Sequence, residues 1–283
     1  MNHHYVPQFY LKQWAESDGR LPYYRWIKGR AVPGRIAPRS TAYEPDLYAR
    51  EKVPSEERHV VETHFFSKLD SKASIIHGRL MRQERFTFIA EERMDWAIFL
   101  AAANARTPDM IAFIKESAER TLRENLDSDP VEVEKKLGYK PSFTLSEWTE
   151  KNRPDVLANF GLHILTKYLT REDLIQPFMD MEWSVHSIPG AANEFLTCDR
   201  PFWFFENPKH PKFSMMMTLS PRVVFIASRT AELDTNIASQ SHSMVARRVN
   251  ESVFSRALER VYGRAKLEYV DKLFRLSRRK KAP

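Results

Sequence analysis

The sequence predicts a helix-rich α+β domain with a small antiparallel sheet built from N-terminal and C-terminal-half strands. Three observations carry that expectation: an aromatic-rich extended run near the start, long stretches of helical apolar spacing through the middle, and short strand-period runs between Met181 and Ser228 before a return to helix. These runs come in blocks rather than in alternation, which argues against a doubly wound parallel sheet. No internal repeat or low-complexity linker divides the 283 residues. The expected organisation is one domain over 1–283, ending in a basic, flexible tail at 271–283.

Asn2-His3-His4-Tyr5-Val6-Pro7-Gln8-Phe9-Tyr10-Leu11 reads as an anchoring segment. Pro7 removes a donor and pushes Val6 toward extended backbone, while Val6, Phe9, Tyr10, Leu11 and Trp14 offer apolar surface to an end that would otherwise fray. Leu21 to Ile27 is an aromatic-rich strand, and the Pro- and Gly-punctuated stretch from Lys28 to Tyr48 reads as a turn and irregular return. Ser55 to Arg82 is helical, with Val60, Val61, Phe65, Leu69, Ile75, Ile76 and Leu80 at helix spacing. From about Glu91 the chain is apolar on most sides, which implies a central buried helix, interrupted at Arg106-Thr107-Pro108. A polar excursion follows, punctuated by Pro130 and Pro141, and reads as a lid or surface hairpin before a helix from Pro154 to Leu169. Glu182 to Ile188, Glu194 to Thr197 and Val223 to Ala227 read as strands. Arg247 onward is helix, with Val249, Val253, Ala257, Leu258, Val261 and Tyr262 on one face.

Composition narrows the function classes. No apolar run approaches the roughly 20 residues that span a bilayer, and the N-terminus carries no leader pattern, so the expected location is cytoplasmic with no membrane partner. A single cysteine, Cys198, excludes an internal disulfide framework and any multi-cysteine metal site. Glycine is scarce, at 8 residues, and neither a dinucleotide nor a P-loop glycine fingerprint is present. The net charge is +7 and the pI about 9.4, but distribution matters more than the total. From Asp271 onward six cations (Lys272, Arg275, Arg278, Arg279, Lys280, Lys281) face one acid, so the tail holds five of the seven net charges. Such a tail either tracks nucleic-acid phosphates or is a solvated end that aids solubility.

Several residues are candidates for chemistry. His3 and His4 are neighbours and point to different faces, so they do not both chelate one ion; one of them suits a general base or metal ligand, or both pin the terminus. Arg106 follows apolar helix and needs an anionic partner, which is an internal carboxylate or an anionic ligand. In Phe195-Leu196-Thr197-Cys198-Asp199-Arg200-Pro201, Asp199 ends an apolar strand, as a catalytic acid or as a cap on local backbone; Cys198 has no paired histidine to activate it. Glu62, Asp70, Glu91, Glu92 and Asp95 supply carboxylates without zinc-motif spacing, which leaves a dispersed Mg or Mn site as the cofactor option. His4, Arg106 and Asp199 are thus the catalytic candidates, and His3, Gln8, Arg200 and Asn250 the substrate-binding ones.

The opening run resembles the signature of DUF4238, a bacterial family of proteins of unknown function whose members begin His-x-Val-Pro-x-Phe-Tyr-Leu. The resemblance continues at Tyr48, at the apolar helix ending in Arg106-Thr107-Pro108, at Phe195 to Pro201, at Leu219-Ser220-Pro221, and at Asn250 ahead of a final helix. Cys198 and Arg200 depart from the family's usual serine and asparagine, which argues for a small packing residue rather than a nucleophile at 198, while Asp199 keeps its identity. The resemblance implies one α+β unit in which His4, Arg106, Asp199 and Asn250 converge, with His4 as the signature imidazole and His3 expendable. Two functions fit these residue types. One is a phosphodiester hydrolase, a nuclease on RNA or DNA, with a His/Arg/Asp site. The other is a non-catalytic binding or regulatory module whose His/Arg/Asp network is structural.

Overall fold

A computed structural model of the chain describes residues 1–82, 88–207 and 210–281. Pro7 closes off strand β1 (Asn2–His4) and opens a short helix, α1 (Gln8–Leu11), which buries Tyr10 and Leu11. The hairpin β2 (Leu21–Ile27) and β3 (Arg30–Ile36) follows, and β4 (Tyr43–Pro45) returns to pair antiparallel with β1, placing His3 opposite Glu44 and His4 opposite Tyr43. The stretch expected to be irregular therefore holds two strands. Its breakers are accommodated in the pairing: Gly34 lies opposite Tyr23, whose ring covers it where any side chain would collide.

The expected long helix from Ser55 begins instead as a 3₁₀ turn, Ser55–Glu57, and a π-helical turn, Val61–Phe66, before it settles into α2 (Ser67–Met81). The buried central helix is α3 (Ala90–Ala105). Pro108 then starts α4 (Pro108–Leu126) in a new direction, with 85° between the two axes. The polar excursion contains two helices rather than a hairpin. Asp129 caps α5 (Pro130–Leu137) by accepting from the Glu132 amide, and a Thr144/Glu147 capping box starts α6 (Leu145–Asn152). Next come α7 (Pro154–Leu169), at the expected boundaries, and α8 (Glu172–Met179).

Strands β5 (Glu182–Ser187), β6 (Thr197–Cys198), β7 (Trp203–Phe205), β8 (Ser214–Ser220) and β9 (Val223–Ser228) precede α9 (Glu232–Ala238) and α10 (His242–Arg256). Then β10 (Val261–Tyr262) leads to α11 (Leu267–Lys281). One antiparallel sheet has the order β3-β2-β10-β6, joining N- and C-terminal segments as expected; another runs β5-β9-β8-β7. The fold is helix-rich α+β. Val261 and Tyr262 belong to a central strand, not to the face of the preceding helix.

Every residue of β8 and β9 is buried, so this sheet is covered on both faces. Met215, Met217, Phe225 and Ala227 pack with Ile76 and Leu80 of α2, Trp96 and Phe99 of α3 and Leu165 of α7. Met216, Val224 and Ile226, on the alternate positions, pack with Val249, Val253 and Phe254 of α10 and with Leu273 and Phe274 of α11. The segment expected as a flexible tail is therefore helix as far as Lys281, held by Val270, Leu273, Phe274 and Ser277, which are buried at helical spacing; positions 282–283 lie outside the described residues. Among the described residues no single helix is long and apolar enough to cross a membrane.

Candidate functional site

Arg106 caps the C-terminal end of α3 at the bend forced by Pro108, and its side chain is 0% exposed. Its Nη1 donates to Asp70 Oδ1 on α2 at 2.8 Å, and the rings of Phe66 and Phe99 lie 5.8 and 5.7 Å from the guanidinium carbon. The Tyr48 hydroxyl donates to the Arg106 carbonyl at 2.7 Å, so two segments of the expected signature meet here. The internal carboxylate that Arg106 requires is Asp70. Yet Nε and Nη2 are buried and have no hydrogen-bond partner among the described residues.

Glu62 lies on the π-helical turn that ends at Phe66, and its Oε2 is likewise buried without a partner among the described residues. Burial pushes the Glu62 carboxyl up to about 7, with Arg106 opposing and Asp70 adding to the rise. His4 is half-buried, and its Nε2 donates to the Arg39 carbonyl at 3.2 Å, which leaves Nδ1 as the basic nitrogen. Burial lowers its pKa, while the charges of Asp70 and Arg106 both reach it in opposite senses. Arg106 thus influences both an imidazole and a carboxyl, those of His4 and Glu62, whose pKa values shift in opposite directions. Opposed shifts of this kind separate a base from an acid.

His3 faces a second cluster. Its ring stacks on Tyr48 with centroids 5.4 Å apart, and the Tyr48 amide donates to His3 Nδ1 at 2.9 Å. Nδ1 is therefore an acceptor, so in the neutral ring Nε2 carries the proton and donates to His59 Nδ1 at 3.2 Å. His59 Nε2 in turn lies 4.0 Å from Asp46 Oδ1. His3, Asp46 and His59 place ligand atoms within 4.8 Å of one another, close enough to hold a metal ion. The donor set fits a metal poorly, because a ligating Nε2 would need the proton on Nδ1, where the Tyr48 amide points. Burial, then His59, pushes the His3 pKa down to about 4.

The remaining candidates lie elsewhere. Asp199 is buried, and its Oδ1 accepts from the Leu258 amide at 2.9 Å while Oδ2 accepts from Glu259 and Arg260 at 2.6 and 3.0 Å. It caps local backbone, and no contact among the described residues joins it to His4 or Arg106. Asn250 is fully buried and spends its amide on Leu196, Glu194 and Tyr269. Arg200 pairs with Asp109 in the first turn of α4, and Gln8 is half-buried at the start of α1. Cys198 is buried, and burial pushes its thiol pKa up, as expected of an inert packing residue. The charge of Arg106 thus reaches His4, whereas Asp199 and Asn250 are committed to other partners. His3, expected to be expendable, is fully buried with both nitrogens engaged.

From sequence alone Glu62 and Asp70 count only as dispersed carboxylates, and His59 does not stand out. A signal is nonetheless present: Glu62, Phe66 and Asp70 recur at four-residue spacing, which puts them on one helix face.

A family model described as a protein of unknown function, DUF4238, matches residues 2–266. No curated protein and no solved structure matches the chain.

Proposed function

This chain belongs to the DUF4238 family, and we propose that it is a hydrolase acting on phosphodiester bonds of RNA or DNA at the Arg106 bend. The observation that carries the reading is a fully buried guanidinium with, among the described residues, one nitrogen paired and two without a partner. An Nε–Nη2 edge is the fork that grips two oxygens of a phosphate. His4 Nδ1 takes the proton of an attacking water as its oxygen bonds to phosphorus; the bond to the leaving oxygen breaks with the electron pair going to that oxygen, which takes a proton from solvent, and Arg106 offsets the charge that gathers on the phosphoryl oxygens. Asp199 takes no part in this chemistry. Lys272, Arg275 and Arg278 are exposed on α11, which packs on the opposite face of the β5-β9-β8-β7 sheet from α2 and α3, so they offer nucleic-acid phosphates a contact surface apart from the Arg106 bend.

The test is incubation of the purified chain with labelled RNA and DNA across neutral pH, with and without Mg or Mn. Cleavage that disappears in His4→Ala at unchanged melting supports the reading, and intact substrate under every condition overturns it. The commitment of Asp199 to backbone amides, and of Asn250 to backbone groups and the Tyr269 hydroxyl, favours a second reading, a non-catalytic module whose polar network fixes the fold.

A further inference from the structure

Glu62 is the group that the proposed hydrolysis leaves unassigned. Its Oε2 is buried and unpartnered among the described residues, and so are Nε and Nη2 of Arg106, whose one ion pair runs through Nη1 to Asp70. Leaving such atoms unsatisfied costs about 1–3 kcal/mol each. The turn that carries Glu62 is π-helical, a local form common at functional sites. With Arg106 and Asp70 cancelling, an ionised Glu62 makes the cluster negative, whereas a protonated one leaves it neutral and adds a donor.

We infer that Arg106 and Glu62 together form a subsite for a tetrahedral oxyanion carried by a phosphate group, with the Nε–Nη2 fork taking two oxygens and the Glu62 carboxyl donating to a third. This rests on the reading of the Arg106 bend as the substrate site. The groups whose charges reach Glu62 are Arg106 at the bend and Asp70 on α2, and the Tyr48 hydroxyl donates to the Arg106 carbonyl; among the described residues α7, which packs on the same turn, adds no charge. Burial holds the Glu62 proton to about pH 7, so the donor is present at neutrality and lost above it.

The experiment is calorimetric titration of the full chain with a dinucleoside monophosphate, whose single charge is constant, from about pH 6 to about pH 9. Wild type is expected to bind at the acid end and to lose about tenfold in affinity per pH unit above neutrality. Glu62→Gln, which keeps a donor at every pH, is expected to flatten that profile. Inorganic phosphate, titrated in parallel, separates the sources: tighter binding than the diester, with the same flattening, assigns the subsite to free phosphate or a monoester end. An identical pH profile in wild type and Glu62→Gln overturns the inference, as does absence of binding in protein that circular dichroism shows to be folded. Flattened binding without any cleavage keeps the subsite and sinks the hydrolase. Cleavage with an unaltered binding profile in Glu62→Gln does the reverse.

Discussion

The Asp199 corner and the Arg106 bend each bury a charge at the end of an apolar element, and they satisfy it differently. At the corner three backbone amides converge on one carboxylate and nothing is left over. At the bend, among the described residues, one nitrogen of a buried guanidinium is paired, two are not, and the Glu62 carboxyl keeps an unpartnered oxygen. Residue type gives the two places equal standing as sites; hydrogen-bond accounting separates a cap from a pocket.

The comparison breaks most readily at the corner. Asp199→Ala strands the amides of residues 258–260, and the expected cost is about 3–5 kcal/mol, read by urea unfolding. Unchanged stability with lost cleavage would move the chemistry to Asp199. At the bend, Arg106→Met is expected to cost about 3 kcal/mol by leaving Asp70 unpaired, and adding Asp70→Leu to restore most of it while cleavage stays absent. Cleavage by the double variant would show that the Arg106 bend is not the site.

Titration sharpens the contrast. Glu62 is held up to about 7 against an ordinary 4.5, so the folded chain binds this proton more tightly than the unfolded one. Its contribution to stability is full below the unfolded value and is lost as pH rises through about 7. His3 has the opposite sign: lowered from 6.5 to about 4, it contributes above 6.5 and is lost as pH falls through about 4. Melting temperature is therefore expected to decline on both sides, and Glu62→Gln to remove the decline on the neutral side only. A Glu62→Gln curve parallel to wild type would take the proton away from Glu62. The smallest effect is expected on α11, where Lys272→Ser or Arg275→Ser changes stability by less than about 0.5 kcal/mol and lowers the salt slope of nucleic-acid binding by about one each. An unchanged slope would remove the basic face from the interface.

Local signals are legible in the sequence. Pro154 opens α7 and the apolar spacing carries it to Leu169, where the observed helix ends. Signals that depend on distant partners are not. Strand β10 reads as helix because Val261 and Tyr262 continue the apolar spacing of α10, and what diverts the chain is the Asp199 carboxylate, 59 residues before Leu258. Strand β8 is hidden by its run of Met215, Met216 and Met217, a residue at home in helices. At the site, Arg106 and His4 are visible as misplaced polar residues, whereas the His3–His59 contact spans 56 positions and has no local trace.

The N-terminal strap has a consequence in time. Tyr10 shares hydrogen bonds with Thr197 and Thr218, and the Trp14 indole donates to the Phe195 carbonyl, across separations of 187, 208 and 181 residues. The strap is thus synthesised well before its partners, and its apolar face stays uncovered until they follow.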